Sequence, residues 1–399
     1  MSDTVSGPGA GAASATGTDP EAAGEFRERV RTWLAENLTG EFAALRGLGG
    51  PGREHEAFDE RLAWERHLAA AGWTCVGWPV EHGGRGASLT EQVIFHEEYA
   101  RADAPAKVSH LGQELLGPTL IAFGTPEQQR RFLPPIVSVD ELWCQGYSEP
   151  GAGSDLAAVS TTAHRDGDEW VLHGQKVWTS LAHVADWCFV LARTEPGSHR
   201  HRGLSYLLVP MDQDGVEVRP IRQLTGTSEF NEVFFDGART RADLVVGEPG
   251  EGWKVAMGTL GFERGVATLG QQVGFRRELR ALTDLARRTG AADDPAVAER
   301  LARSWTGLEV MRAHALRTLG DTAPGVAEVS KLVWATWHRE LGELAMLVRG
   351  AAGMVATDDL DEWQRLFLFS RADTIYGGSN EIQRNIIAER VLGLPREKR

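Results

Sequence analysis

The chain has 399 residues, 42% hydrophobic and 25% charged, an ordinary balance for a globular protein with room for two to three domains and large buried cores. Its formal charge of −14 argues against a nucleic-acid or anionic-membrane surface, since both reward basic patches. No apolar run approaches the ~20 residues that span a bilayer, and Cys75, Cys144 and Cys188 lie too far apart for a disulfide framework or metal-ligand spacing, which fits a reducing, cytoplasmic setting.

The first twenty residues, "MSDTVSGPGAGAASATGTDP", are small, polar and glycine-rich. They lack the basic start and apolar centre of a secretory signal and the arginines of a mitochondrial presequence, so a disordered tail is predicted. From Glu21 the pattern turns helical: Phe26, Val30, Trp33 and Leu34 recur at helix spacing with charges between them. A second amphipathic stretch runs from Phe58 to Ala71. The glycine-rich loop 77–88 ends in a helix cap at Ser88 or Thr90, and Thr125 with Gln128 has capping-box spacing. An all-helical N-terminal domain is therefore expected over 21–142.

Between 143 and 246 the text changes to short runs such as "EWVLHGQKVWTS", "DWCFVLART" and "LSYLLVP", rich in β-branched and aromatic residues and separated by Gly, Pro and Asp. A middle domain of antiparallel strands is expected there. After "GEPGEGW" the helical pattern returns over 247–399, in segments long enough for a four-helix bundle. The predicted fold is α+β and multidomain: helices, then a β domain, then a helical bundle.

Five segments have residue types that bear on chemistry. In "YSEPGAGSD" (147–155), Gly151 and Gly153 permit positive φ or a close ligand, and Ser148 and Ser154 offer hydroxyls. Such a run suits a phosphate or the polar edge of a heterocycle, and equally an ordinary interstrand loop; neither GxGxxG nor GK[ST] occurs. Trp178, beside Thr179 and Ser180, is either core or a surface on which a flat ring stacks. The loop "GSHRHRG" (197–203) lacks the carboxylates or cysteines a metal site needs, so it is read as solvated and no metal is expected. In "WKVAMGTLGFERGVATLG" (253–270), Ala256, Leu260, Glu263 and Ala267 share one helix face. Glu263 is thus a carboxylate on an apolar stripe beside Arg264, where burial raises its pKa and the arginine lowers it. That arrangement describes a general base, and it also describes a structural ion pair. Lastly, "IYGGSNE" (375–381) joins two glycines to a helix start at Ser379 or Asn380, with Gln383 at capping-box spacing from Asn380.

Taken in order, "GWPVEHGGRG", "GTPEQQRRFLPPI", "YSEPGAGSDL", "GQKVWTS", "FNEVFFDG", "GEPGEGW", "FERG" and "YGGSNEIQRNIIAERVLG" resemble the acyl-CoA dehydrogenase family of flavoproteins, over almost the whole chain from Glu21 onward. The resemblance implies an N-terminal helical domain, a middle β domain and a C-terminal four-helix bundle. It also implies FAD as cofactor, an acyl-CoA thioester as substrate, desaturation between Cα and Cβ, and an electron-transfer flavoprotein as acceptor. By position it assigns Tyr147, Ser148, Ser154, Trp178, Ser180, Ser379 and Glu381 to FAD. It assigns Ser154, Arg264, Tyr376 and Gly377 to the substrate side. Most members carry the base at the position held here by Gly377; a minority place it on the bundle helix immediately before an arginine, where this chain has Glu263.

Two further departures concern the adenosine end of FAD. The bundle lacks the Arg-x-x-Phe-Gly segment that many members send to a neighbouring subunit's FAD, and "LVRGAAGM" (347–354) replaces a motif with Gln and paired glycines. Similar departures occur in actinobacterial members, some acting as heteromeric pairs on sterol side chains or other bulky acyl groups. A homodimer or tetramer is expected by family habit, or a heteromer. Three alternatives stay open: a non-catalytic partner subunit of a heteromeric enzyme, a flavin oxidase of the same fold, and a dehydrogenase of acyl-carrier-protein thioesters.

Overall fold

The computed structural model describes residues 20–262, 267–319, 323, 325–356 and 359–395. Residues 1–19 of the expected tail, and with them Glu263 and Arg264, lie outside the described residues.

Among the described residues five α-helices come first: α1 (Pro20–Asn37), α2 (Phe58–Ala70), α3 (Leu89–Arg101), α4 (Gly117–Phe123) and α5 (Pro126–Ser138). In α1 the buried side chains are Phe26, Val30 and Leu34, the i, i+4, i+8 stripe of an amphipathic helix. Ser88 caps α3 in a capping box with Glu91, and Thr125 does the same for α5 with Gln128, so both helix starts follow from local chemistry.

Eight strands follow: β1 (Trp143–Gly146), β2 (Thr162–Asp166), β3 (Glu169–Ser180), β4 (Trp187–Arg193), β5 (Leu204–Pro210), β6 (Val216–Ile221), β7 (Phe230–Arg241) and β8 (Val245–Val246). They form one sheet in the order β6-β7-β3-β2-β4-β5-β8, with β1 also paired to β4. The ladders are antiparallel except β1–β4 and a single β2–β4 pair, which are parallel because the β2–β3 hairpin intervenes before the chain returns as β4. Both faces of the central strands are covered. In β4, Phe189 and Leu191 pack with Leu204, Tyr206 and Leu208 of β5 against α4, α5 and the first bundle helix. Cys188, Val190 and Ala192 pack with Leu207 and Val209 on the other face. Burial on both faces is why these strands read as continuous apolar runs rather than alternating ones. The three cysteines are buried and unbridged.

The C-terminal part comprises α6 (Gly252–Phe262), α7 (Ala267–Thr289), α8 (Pro295–Arg317), α9 (Val326–Arg349), α10 (Glu362–Asp373) and α11 (Asn380–Ile386). Its core gathers Phe275, Leu279 and Leu282 of α7, Leu308 and Met311 of α8, Leu341, Leu344 and Ala345 of α9, and Trp363 of α10. Arg312 of α8 pairs with the buried Glu97 of α3, and Arg277 of α7 with Asp103, so the bundle is fastened to the N-terminal helices by charge. Among the described residues no helix is long and apolar enough to cross a membrane.

Candidate active site

Tyr147 follows β1 directly and is buried edge-on against Phe189 and Tyr206, with ring centroids 6.0 and 6.2 Å away. The next residues turn outward but are firmly held. Val177 of β3 donates its backbone N–H to the Ser148 carbonyl at 2.9 Å, and Glu149 and Ala152 exchange two backbone hydrogen bonds at 3.0 Å. Glu149 points inward, where its carboxylate accepts Lys176 Nζ at 2.8 Å, Ser160 N at 2.6 Å and Thr161 N at 2.9 Å. Lys176 is wholly buried and also donates to the carbonyls of Tyr147 and Leu191. Burial pushes the Glu149 carboxyl up, but Lys176 and the other donors outweigh it and hold the group at about 2. This pair locks the 147–155 loop to β3, leaving Gly151, Gly153 and Ser154 exposed. Neither Gly151 nor Gly153 has a positive φ, so the left-handed reason for glycine does not apply; a Cβ at either would meet open space.

Trp178 sits two residues beyond Lys176. The β3–β7 register shifts between Lys176 and Thr179, a bulge that turns Trp178 out of the ladder. Its φ is +61°, its side chain is 57% exposed, and its ring meets Phe230 edge-on at 6.2 Å. A left-handed conformation costs a tryptophan about 1–2 kcal/mol, and leaving an indole in water forgoes its burial energy as well. Thr179 is buried with no protein partner for Oγ1, and Ser180 pairs in register with Phe230. An uncompensated outlier of this kind marks a place where strain serves a purpose other than packing.

A second group of candidates lies at the α10–α11 turn. Gly377 and Gly378 have φ of +61° and +86°, and Gln383 Nε2 donates to both of their carbonyls, at 3.0 and 3.2 Å. A Cβ on Gly378 would stand 2.5 Å from that nitrogen. The helix starts where the sequence reading put it, but the box between Asn380 and Gln383 does not form. Ser379 is the N-cap and accepts Ile382 N, while Asn380 is already helical and donates to Thr336 Oγ1 at 3.2 Å. Gln383 therefore clamps the glycine turn instead of completing a box with Asn380. Glu381 is exposed, its carboxyl held below the ordinary range by its own backbone N–H and by Ser379. Tyr376 donates its hydroxyl to Asp373 Oδ1 at 2.6 Å.

The loop 49–56 reaches both α10 and the segment before β7, a placement the sequence did not signal. Gly52 lies against Phe369 of α10, where a Cβ would come within 2.6 Å of the ring, and His55 Nδ1 is 3.1 Å from Glu229, next to the start of β7. Glu229 is buried and also accepts Gln223 Nε2 and Thr227 Oγ1. Glu54, with one carboxylate oxygen buried and unpartnered, is raised to about 7 by burial and by the charge of Glu229. On the bundle side, Ala256 is buried and Leu260 half-buried, two positions of the stripe that leads to Glu263. The histidine-arginine loop is exposed, and among the described residues no group of acidic, His or Cys side chains could hold a metal. A cavity of about 650 Å³ between α2 and α5, lined by Arg66, His82 and Gln129 among others, contains none of the candidates.

Three domains of known enzymes match in succession: the acyl-CoA dehydrogenase N-terminal domain over residues 20–140, the middle domain over 144–238 and the C-terminal domain over 250–392. The chain belongs to the acyl-CoA dehydrogenase family. It is 73% identical over 377 residues to acyl-CoA dehydrogenase IpdE1 of Mycobacterium tuberculosis, covering 94% of this chain and 98% of that one. Among solved structures, the Tcur3481-Tcur3483 steroid ACAD superposes with a TM-score of 0.81 at 31% identity, over 95% of this chain and 99% of the other. The ChsE4-ChsE5 complex from Mycobacterium tuberculosis gives 0.80 at 32%, over 96% and 100%. This acyl-CoA dehydrogenase is accordingly an FAD-dependent oxidoreductase. Its surface accepts such a cofactor: the exposed indole of Trp178, the open space over Gly151 and Gly153, and the unpartnered Thr179 hydroxyl suit a flat group with a polar edge.

Proposed function

We propose that this acyl-CoA dehydrogenase desaturates a steroid-derived acyl-CoA between Cα and Cβ, as one subunit of a heteromer, with Glu263 as the base. The observation that carries the reading is the Gly377–Gly378 turn: both residues are left-handed and clamped by Gln383, and neither offers a side chain that could take a proton. The base then comes from elsewhere, and Glu263, next to Arg264 at the end of the α6 stripe, has the right chemistry.

In this reading Tyr147, Ser148 and Ser154 form the loop that meets FAD, Trp178 stacks on its ring system with Ser180 at the polar edge, and Ser379 and Glu381 reach it from the bundle. FAD, when bound, supplies the acceptor for the β hydrogen and its electron pair, which pass on to an electron-transfer flavoprotein. Tyr376 and Arg264 orient the thioester, and Gly377 leaves room for the acyl group. Glu263 holds its carboxylate for the α proton.

The steroid class and the heteromer are supported by likeness to relatives whose names carry them, the steroid ACAD and the ChsE4-ChsE5 complex. They are supported equally by the motifs for the adenosine end of FAD that this chain replaces. The test is to purify the chain alone and co-expressed with a homologous acyl-CoA dehydrogenase chain, then titrate each anaerobically with ring-bearing and straight-chain acyl-CoAs. Bleaching of the flavin by ring-bearing thioesters, in the paired preparation only, is the expected result. An unreactive flavin across the panel, or equal bleaching by straight chains, would sink the assignment.

A further inference from the structure

Behind the glycine turn lies a cluster of buried charge that desaturation chemistry does not call for. His338 of α9 is buried among Phe275, Trp337 and Trp334 of the bundle core, its ring 4.5 Å from that of Phe275. Both of its nitrogens face carboxylates: Nε2 is 3.0 Å from Glu278 of α7, and Nδ1 is 2.5 Å from Asp373 at the end of α10. Asp373 is 1% exposed and fully engaged. One carboxylate oxygen meets His338, the other accepts the Tyr376 hydroxyl, and its backbone carbonyl accepts Lys331 Nζ. The charged and titratable groups facing the imidazole are thus Glu278 from α7, Asp373 from α10, and Lys331 and Tyr376 beyond it. Protonated, His338 is a cation held between two carboxylates. Burial pulls His338 down, but Glu278 and Asp373 more than offset it and push the group up to about 10.

Removing ions from water costs several kcal/mol each, and a packed apolar cluster does not incur that penalty. What a chain of directed hydrogen bonds adds is a fixed geometry. Here it runs from α7, the helix that follows the Glu263 segment, through α9 and α10 to the ring of Tyr376, one residue before Gly377. We propose that His338 is a positioning residue: through Asp373 and Glu278 it fixes Tyr376 and the glycine turn relative to α7, and so holds the substrate-side turn in its working position. The proposal rests on reading Tyr376 as a substrate-side residue.

The test is a double-mutant cycle on the FAD-loaded paired preparation, with a ring-bearing acyl-CoA that bleaches its flavin as substrate, using His338→Gln, Tyr376→Phe and both, and reading kcat and KM per bound flavin together with the thermal midpoint. Each single variant is expected to lower kcat/KM by about tenfold, and the double variant to be no worse than the weaker single, because both break one chain. If Tyr376→Phe leaves kcat/KM unchanged, the substrate-side reading fails and the proposal with it. If Tyr376→Phe is impaired while His338→Gln loses thermal stability but keeps kcat/KM, His338 is structural only and the positioning role is overturned. Should His338→Gln not yield holoenzyme, the same cycle with Glu278→Gln decides by the same outcomes.

Discussion

Replacing Lys176 with methionine keeps most of the side chain and deletes its ammonium, one charge at the base of the 147–155 loop. The wild-type ammonium is wholly buried and makes three hydrogen bonds, to Glu149 at 2.8 Å, Leu191 O at 2.8 Å and Tyr147 O at 3.1 Å. Glu149, about 6% exposed, is held at about 2 against an ordinary 4.5. A carboxyl so depressed contributes about 3 kcal/mol to stability at neutral pH. Breaking a buried pair from one side costs ~3–5 kcal/mol, since the remaining charge has no counterpart. Urea unfolding of Lys176→Met at pH 7 is therefore expected to show a loss of about 3–5 kcal/mol, with FAD content falling as the loop loosens. The sign with pH follows from the depressed group. Its stabilisation is complete above pH 4.5 and is lost as pH falls through about 2. The gap between wild type and variant must then narrow on acidification from pH 6 to pH 3. A loss below ~1 kcal/mol, or a gap that stays constant over that range, refutes the reasoning.

Trp178→Gly removes a left-handed strain and little buried surface, so the thermal midpoint is expected to hold while FAD affinity, by fluorescence titration, weakens about three- to tenfold; unchanged affinity contradicts a stacking role. Gly377→Glu forces a side chain onto φ +61° and is expected to cost about 1–2 kcal/mol. In a Glu263→Gln background it should nonetheless restore some flavin bleaching, and no restoration argues against a shared proton site. Glu54→Gln is expected to stabilise at pH 8 by up to about 3 kcal/mol and far less at pH 5. A carboxyl raised to about 7 costs stability progressively as it ionises above its ordinary 4.5. Denaturation midpoints at the two pH values check this, and equal effects at both contradict it.

The sequence was most legible where structure is local. Capping boxes at Ser88 and Thr125, the α1 stripe and the fully apolar β4 and β5 follow from residues within a few positions of one another. The site was legible only as segments. Trp178 could be named, but its backbone strain arises from pairing with β7, more than 50 residues on in the chain. The Lys176–Glu149 and His338–Glu278 pairs join residues 27 and 60 apart, so no periodicity announces them. A lone Lys in "GQKVW" and a lone Glu in "YSEPG", each amid apolar or small residues, were the available signal. Gln383 was misjudged because capping spacing counts residues, whereas the backbone freedom of Gly377 and Gly378 decides where its amide goes.

In the proposed reaction the α proton is taken by Glu263 and not by a group of the 376–378 turn. The most direct measurement of this is proton exchange, which needs no hydride transfer: an acyl-CoA blocked at Cβ is incubated in D₂O with holoenzyme, and loss of its α-proton signal is followed by NMR. Exchange is expected with the wild type, and none above background with Glu263→Gln. Exchange by Glu263→Gln at the wild-type rate would contradict this assignment.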